Sequence, residues 1–196
     1  MKKEFVKQIK RISNYNLVQS SSGNISWRFN PQFRRNIYIT SSGSWFENLI
    51  EDDVVQMDIF FDELALNEKK KPSSEYEFHC GIMKARGDVN VILHCQSSYA
   101  TAISCYKKKI NFNVIPEIPY YCKEIAYVPY IKPGTKELAK KVIEKSHKHD
   151  IIILKNHGQI IMGRDFDDVL QKALFLELAS KIIVTSNEKL NFINFD

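Results

Sequence analysis

Hydrophobic and polar positions divide the chain into segments with the period of a helix and segments with the period of a strand. Near the N-terminus, Phe5, Ile9 and Ile12 recur at helical spacing, and a run containing serines and a glycine follows Val18. This spacing predicts an amphipathic helix over residues 2–18, followed by a polar turn.

Short runs rich in β-branched and aromatic residues predict strands in both halves of the chain. The predicted strands cover residues 25–29, 36–40, 54–61, 89–93, 151–154 and 159–162. The first two are joined by Asn30-Pro31-Gln32, which is typical of a hairpin. The charged segment that runs through Lys71-Pro72 after the third strand predicts a surface loop.

Helix-start signals alternate with these strands. Ser74 and Glu77 fit a capping box that opens a helix, and Gly87 ends it. The other predicted helices begin at Ser98, Thr135 and about Asp165. Because strands and helices alternate without a repeat or a linker, we predict a single α/β domain over residues 1–196.

Composition and charge narrow the classes of partner. The chain has 196 residues, of which 44% are hydrophobic and 26% charged, the balance of a soluble protein with one sizeable core. The net charge of +5 includes lysine triplets at residues 69–71 and 107–109, but no basic stripe with interleaved aromatic residues. We therefore expect no nucleic-acid partner, while a mildly positive protein suits an anionic small substrate.

Hydropathy and cysteine spacing indicate the compartment. No stretch approaches the roughly 18 apolar residues of a membrane span, and the N-terminal segment lacks the continuous apolar run of a signal peptide. The four cysteines form no Cys-x-x-Cys pair, which predicts reduced thiols. We expect a cytoplasmic protein with no membrane partner.

Small polar residues at a predicted helix start are the first candidate chemistry. Ser73 and Ser74 lie where free backbone N–H groups and the helix dipole suit a phosphate. Plain capping of the helix by Ser74 is the alternative interpretation.

Histidines at strand ends are the second candidate. His94 leaves a buried strand, and the period of two places His94 and Gln96 on one face and Cys95 on the other. His157 occupies a tight turn between two apolar strands. Two such imidazoles can meet around a metal or serve a structural role, and His79, four residues after Glu75, is a candidate ligand or supporting group.

The order of these motifs resembles the class II aldolase/adducin superfamily, and most closely its fuculose-phosphate aldolase branch. The resemblance covers nearly the whole chain. The motifs, in order, are Gly23-Asn24-Ile25-Ser26, Thr40-Ser41-Ser42-Gly43, Pro72-Ser73-Ser74-Glu75, His94-Cys95-Gln96, Pro133-Gly134-Thr135 and Asn156-His157-Gly158.

The resemblance implies a central, mostly antiparallel sheet flanked by helices, in a homotetramer with active sites at the subunit interfaces. It implies a catalytic carboxylate at Glu75 and metal ligands at His94 and His157. Tyr120 and Tyr121 are candidates for the acid that family enzymes take from a neighbouring subunit. The implied phosphate-binding residues are Asn24, Ser42, Gly43, Ser73 and Ser74.

One motif departs from the family. Where the family has His-x-His, this chain has His94-Cys95-Gln96, so a neutral amide replaces one imidazole. Three outcomes stay open: Gln96 is a weaker oxygen ligand, Glu75 completes the ligand set, or the metal is absent.

The activity implied by the resemblance is that of a metal-dependent aldolase, with Zn²⁺ as the expected divalent metal. Such a lyase reversibly cleaves a small ketose phosphate to dihydroxyacetone phosphate and an aldehyde. A sugar-phosphate 4-epimerase or a dehydratase shares the same apparatus. A non-catalytic, adducin-like member is the alternative from another class, and Gln96 is the residue that favours it.

Overall fold

A single mixed sheet organises the part of the chain that the computed structural model describes, residues 1–30, 35–60, 63–64, 70–186 and 190–194. The helices are α1 (Lys2–Ser13), α2 (Tyr76–Ala85), α3 (Ser98–Ser104), α4 (Lys136–Ser146) and α5 (Phe166–Thr185). The strands are β1 (Asn24–Trp27), β2 (Asn36–Thr40), β3 (Val54–Asp58), β4 (Glu63–Leu64), β5 (Val91–Cys95), β6 (Ile125–Val128), β7 (Ile151–Leu154) and β8 (Gly158–Gly163). A 3₁₀ turn, Glu51–Asp53, precedes β3, and a π-helical turn, Ile118–Cys122, precedes β6.

The eight strands found in these ranges have the order β4-β3-β2-β1-β5-β8-β7-β6. Every neighbouring pair is antiparallel except β6 and β7, which are parallel. The prediction of an α/β fold with a mostly antiparallel sheet flanked by helices is confirmed. Residues 31 and 32 of the predicted hairpin turn lie outside the described residues. The strands β1 and β2 pair as predicted.

Each face of the sheet packs against its own helices. Leu93 and the α1, α3 and α5 side chains form one hydrophobic layer, while Ile92 and the side chains of α2 and α4 form the other. The strand β7 is apolar throughout because its residues alternate between the two layers, and all four are buried. No helix among the described residues is long and apolar enough to cross a membrane.

Local cap signals are confirmed where nothing competes with them. The Thr135 side chain accepts a hydrogen bond from the N–H of Leu138 at the start of α4, and Asp165 does the same for Asp168 at the start of α5. The first helix is shorter than predicted, because Asn16 adopts a φ of 54° after α1 ends at Ser13.

The capping box predicted at Ser74 and Glu77 is wrong. The helix α2 begins at Tyr76, and the residue that precedes it, Glu75, makes no side-chain cap. Long-range pairing overrides the local signal here, because the N–H of Ser73 bonds the carbonyl of Thr40 at the end of β2. This pairing ties the chain before α2 to the sheet.

The pairing of the strands brings the ends of several of them to one edge of the sheet, called here the site edge. The first residue of β1, Asn24, pairs with His94 near the end of β5, and His94 pairs with Ile160 near the start of β8. The end of β7 and, because it is parallel, the end of β6 at Val128 reach the same edge. The predicted functional motifs mostly lie on the loops of this edge. The charged loop predicted before Pro72 falls largely on residues 65–69, outside the described part.

Candidate metal and substrate site

Glu75, His94 and His157 converge at the site edge. One ligand atom from each lies within 4.8 Å of the others. The distance from His94 Nε2 to Glu75 Oε2 is 3.2 Å, and that from His157 Nε2 to Glu75 Oε1 is 3.7 Å. Three elements supply them: the residue before α2, the end of β5 and the turn between β7 and β8.

The tautomer of His94 leaves a lone pair directed into this cluster. His94 is fully buried, and its Nδ1 lies 2.9 Å from the backbone carbonyl oxygen of Gln159, an acceptor. Nδ1 therefore carries a proton, and in the neutral form of the ring Nε2 is the nitrogen with the lone pair. A backbone acceptor behind a histidine is the usual way in which a metal-binding imidazole is oriented.

Three buried polar atoms of the cluster lack a hydrogen-bond partner among the described residues: Glu75 Oε1, His94 Nε2 and His157 Nδ1. Unpartnered buried polar atoms are costly unless something compensates for them. One carboxylate and two neutral imidazoles are a donor set that suits a divalent transition metal. The residues present therefore fit the metal that the family resemblance implies.

Burial also sets the protonation state of His157. Loss of solvation and the neighbouring His94 lower the pKa of His157 to about 4, although the Glu75 carboxylate opposes this by raising it. At neutral pH the ring is uncharged, which is the form that binds a cation.

Gln96 lies just beyond β5 and is half-buried. Its Cγ packs against the turn that carries His157: a Cβ added to Gly158 would lie 2.9 Å from it and 2.5 Å from the carbonyl oxygen of Cys95. Only a glycine permits this approach of the two loops. Cys95 itself packs in the layer of α1, α3 and α5, as the alternation along β5 predicts.

A cavity of about 410 Å³ is lined in part by Ser74 and Tyr76, the residues on either side of Glu75 in the chain. Its lining includes three of the predicted phosphate-binding residues, Ser42, Ser73 and Ser74. The other lining residues are Met57, Lys71, Pro72 and Tyr76. The structure therefore brings these serines together from two separate loops, which are joined by the hydrogen bond from the N–H of Ser42 to the carbonyl of Lys71.

Two predicted phosphate residues do not line this cavity. Gly43 follows Ser42 in a turn with a φ of 75°, which favours glycine, and it lines a neighbouring pocket with Trp45. Asn24 is 6% exposed and donates from Nδ2 to Glu75 Oε2 at 3.1 Å.

Tyr120 and Tyr121 lie away from the cluster within one chain. They belong to the π-helical turn before β6, whereas the cluster lies beyond the end of β7, which runs parallel to β6. The ring of Tyr121 stacks on Phe175 of α5 at 5.3 Å, and Tyr120 is 78% exposed. The structure does not bring either tyrosine to Glu75 of the same chain.

The sequence patterns missed three residues of this region. Tyr130 is 61% exposed and follows the end of β6 at the site edge, shortly before Gly134, where an added Cβ would lie 3.4 Å from the carbonyl oxygen of Ser74. Ser26 and Gln159 hold histidines of the site through hydrogen bonds. Only Ser26 lay inside a motif, and no local signal marks the other two.

The comparisons with known proteins agree with this geometry. A sequence model of the family described as Class II Aldolase and Adducin N-terminal domain matches residues 3–184. The chain therefore belongs to the class II aldolase and adducin family.

Relatives narrow the class further. The L-fuculose phosphate aldolase of Methanocaldococcus jannaschii is 34% identical over 181 residues, which cover 92% of this chain and 94% of that protein. The 3-oxo-tetronate 4-phosphate decarboxylase of Haemophilus influenzae is 28% identical over 177 residues, which cover 88% of this chain and 81% of that protein. The named activities of both relatives are lyase reactions.

A solved structure shows the same fold. The crystal structure of YgbL from Escherichia coli matches with a TM-score of 0.89 and 21% identity, over 98% of this chain and 93% of that chain.

Proposed function

We propose that this protein is a metal-dependent lyase that reversibly cleaves a small ketose phosphate to dihydroxyacetone phosphate and an aldehyde. The observation that carries the proposal is the cluster of Glu75, His94 and His157 beside a cavity lined by Ser42, Ser73 and Ser74. A cation site in the same region as a cavity that carries three serines and a lysine suits a substrate with a carbonyl at one end and a phosphate at the other.

His94 and His157 would hold the metal, which we propose is Zn²⁺, with Glu75 within reach as a further ligand or as the group that moves protons. When bound, such a cation supplies Lewis-acid stabilisation of negative charge on a substrate oxygen. Gln96 lies next to the same turn, and we propose that its amide oxygen is a weaker fourth donor.

The residues around the cavity would bind and orient the phosphate. The hydroxyls of Ser42, Ser73 and Ser74 offer hydrogen-bond donors, and Lys71 adds positive charge. We retain Gly43 as part of this pocket, because its turn sets the position of Ser42. For Asn24 we propose a role through Glu75, with which it shares a hydrogen bond, in addition to the phosphate role expected from the family.

Glu75 is the proposed catalytic base and acid. Aldol cleavage breaks a carbon–carbon bond as the substrate hydroxyl at the aldehyde end loses its proton, and it leaves an enediolate, which Glu75 would then protonate on carbon to give dihydroxyacetone phosphate. Glu75 Oε1 is buried and has no hydrogen-bond partner among the described residues, so it is available for this transfer.

A tyrosine is the proposed acid at the aldehyde end in the condensation direction, where it would protonate the aldehyde oxygen as the carbon–carbon bond forms. In cleavage the same oxygen would take up the proton of the substrate hydroxyl. Tyr120 and Tyr121 reach a cluster only if it belongs to another copy of the chain, which accords with the expected homotetramer with sites between subunits. Tyr130 at the site edge is a further candidate, because its loop contacts Ser74 through Gly134.

We also propose that the protein is cytoplasmic, as the hydropathy and the cysteine spacing of the sequence predict.

Decarboxylation of a 3-oxo acid phosphate is the second candidate reaction, and the Haemophilus influenzae relative favours it. In a 3-oxo-tetronate 4-phosphate, breaking the bond to the carboxylate releases carbon dioxide and leaves the same enediolate that aldol cleavage leaves. Epimerase and dehydratase reactions would use the same phosphate and metal residues. A non-catalytic scaffold is disfavoured by the unpartnered polar atoms of the cluster.

The test is incubation of the purified protein and Zn²⁺ with fuculose 1-phosphate, with a ribulose-type phosphate and with 3-oxo-tetronate 4-phosphate. Dihydroxyacetone phosphate is measured with a coupled dehydrogenase, and the second product is identified by NMR. We expect an aldehyde from a ketose phosphate. Release of carbon dioxide without an aldehyde would support the decarboxylase reaction instead. If none of the three substrates gives a triose phosphate, both the aldolase and the decarboxylase reactions are contradicted.

A further inference from the structure

Behind Glu75, a chain of buried polar side chains crosses from β1 to α2. The atom Asn24 Nδ2 lies 3.1 Å from Glu75 Oε2, His79 Nε2 lies 2.6 Å from Asn24 Oδ1, and Ser26 Oγ lies 2.7 Å from His79 Nδ1. Ser26 and His79 are fully buried. These contacts make a continuous path of three hydrogen bonds that ends on the carboxylate.

The strand and the helix build this path together. Asn24 and Ser26 are two residues apart on β1, so their side chains share a face, and that face carries α2. His79 reaches between them from the first turn of α2, with its ring stacked on Phe78 at 4.6 Å. The imidazole therefore has its two nitrogens fixed by one strand.

The chemistry of the end group sets the direction of every hydrogen bond. An ionised Glu75 only accepts, so Asn24 must present its NH₂ group to it and its carbonyl oxygen to His79. That oxygen also only accepts, so His79 carries its proton on Nε2. The neutral ring then accepts at Nδ1 from the Ser26 hydroxyl.

We propose that His79 is a positioning residue that fixes the amide of Asn24 and, through it, the orientation of the Glu75 carboxylate. The inference rests on the proposed function for its effect on turnover, but not for the hydrogen-bond directions. If His79 offered no donor, the amide would be free to turn its oxygen toward Glu75, and two acceptors would then face each other. The carboxylate would lose its fixed orientation toward His157.

Complete burial keeps this histidine neutral. Loss of solvation, and then the nearby His94, hold the pKa of His79 well below its usual value of 6.5. A neutral ring has one donor and one acceptor, as the path requires. His79 is not one of the three groups that cluster as metal ligands, so its role is to support them.

The hydrogen-bond directions are tested without any substrate. Long-range ¹H–¹⁵N spectra of the purified full-length protein report which nitrogen of each histidine carries the proton. We expect His79 as the Nε2–H tautomer between pH 6 and pH 8, with the side-chain amide signals of Asn24 moved in His79→Gln and in Ser26→Ala. An Nδ1–H tautomer of His79, or Asn24 signals unmoved in both variants, would overturn the proposal.

Turnover tests the consequence for Glu75. The variant His79→Leu removes the donor, while His79→Gln keeps an N–H near the position of Nε2. We expect kcat to fall by about 10- to 100-fold in the first, with KM and the bound metal unchanged, and to recover at least partly in the second. An unchanged kcat in folded His79→Leu contradicts the proposal.

Controls separate this inference from the proposed function. The variant His147→Leu replaces an exposed histidine and is the control. We expect it to leave both kcat and the Asn24 amide signals as they are in the unmodified protein. If the unmodified protein turns over none of the substrates, the proposed function fails, and the tautomer and the amide signals still decide the hydrogen-bond path. If His79→Leu does not fold, the comparison of His79→Gln and Ser26→Ala with the unmodified protein decides it.

Discussion

Glu75 Oε2 lies 3.2 Å from Nε2 of His94, although the two residues are held by different parts of the sheet. His94 is fixed from behind by the carbonyl of Gln159, and Glu75 by the amide of Asn24. A carboxylate and an unprotonated imidazole nitrogen, both buried, gain little from each other without a proton or a cation between them. This relationship is the physical reason to propose that the cluster is a metal centre.

Replacing Glu75 by glutamine tests its role as base and acid. The amide keeps the size of the side chain but cannot exchange a proton at neutral pH, so kcat is expected to fall by about 10²- to 10⁴-fold. Turnover of the substrate found for the unmodified protein measures the effect, with Glu144→Gln on the exposed face of α4 as the control. A loss of less than about tenfold would remove Glu75 from the proton transfer.

Restoring a histidine at position 96 tests the departure from the family motif. If the side chain of residue 96 faces the metal, Gln96→His adds an imidazole donor and should tighten Zn²⁺ binding by about tenfold or more. Competition with a coloured chelator gives the affinity. Unchanged affinity in a folded variant would mean that this side chain does not contact the cation.

The three candidate tyrosines are distinguished by phenylalanine substitutions. Tyr130 lies at the site edge, whereas Tyr120 and Tyr121 reach a cluster only in another copy of the chain. We expect Tyr130→Phe to lower kcat by about tenfold or more with little change in stability. If Tyr120→Phe or Tyr121→Phe lowers kcat by a comparable factor, and the active protein is an oligomer, the acid is a tyrosine of the neighbouring copy instead.

A partly buried charge network away from the site sets a pH dependence of stability. Asp150 Oδ1 accepts from Arg86 at 2.9 Å, and its Oδ2 accepts from Lys172 at 3.0 Å. Burial raises the pKa of Asp150, but the hydrogen bonds and charges of Arg86 and Lys172 outweigh burial and leave it below its usual value. Ionised Asp150 therefore stabilises the fold above its unfolded pKa of about 3.9, and this contribution is lost as the pH falls through the lower folded value.

The variant Asp150→Asn measures this contribution. We expect its free energy of unfolding at pH 7 to be about 2 kcal/mol lower than that of the unmodified protein, because hydrogen bonds to a charged group are lost. Below about pH 4 the difference should narrow, since the unmodified protein loses the same charge. Urea unfolding at several pH values tests this, and a difference that stays constant down to pH 3 contradicts it.

The sequence predicted the elements whose signals are local. The starts of α4 and α5, predicted at Thr135 and about Asp165, were correct because each of these side chains caps its own helix. The start of α2 was predicted wrongly, because the chain before it pairs with the end of β2. This contact joins Thr40 and Ser73, which are 33 positions apart. Contacts of that range leave no periodic pattern in the sequence.

Only part of the candidate site could likewise be predicted from the sequence. The order of motifs indicated Glu75, His94 and His157, and the structure brings these three together. The spacing of Glu75 and His79 suggested only a shared helix face. Which nitrogen of His79 meets Asn24 depends on the rotation of α2 over β1, which only the packed structure determines.

Metal content tests the central claim most directly. Protein purified with Zn²⁺ and then dialysed is analysed for metal per chain, alongside His94→Ala and the exposed-surface control His147→Ala. We expect close to one metal per chain in the unmodified protein and in the control, and a large loss in His94→Ala. A folded unmodified protein that retains no divalent metal, or a His94→Ala variant that retains all of it, would contradict the account.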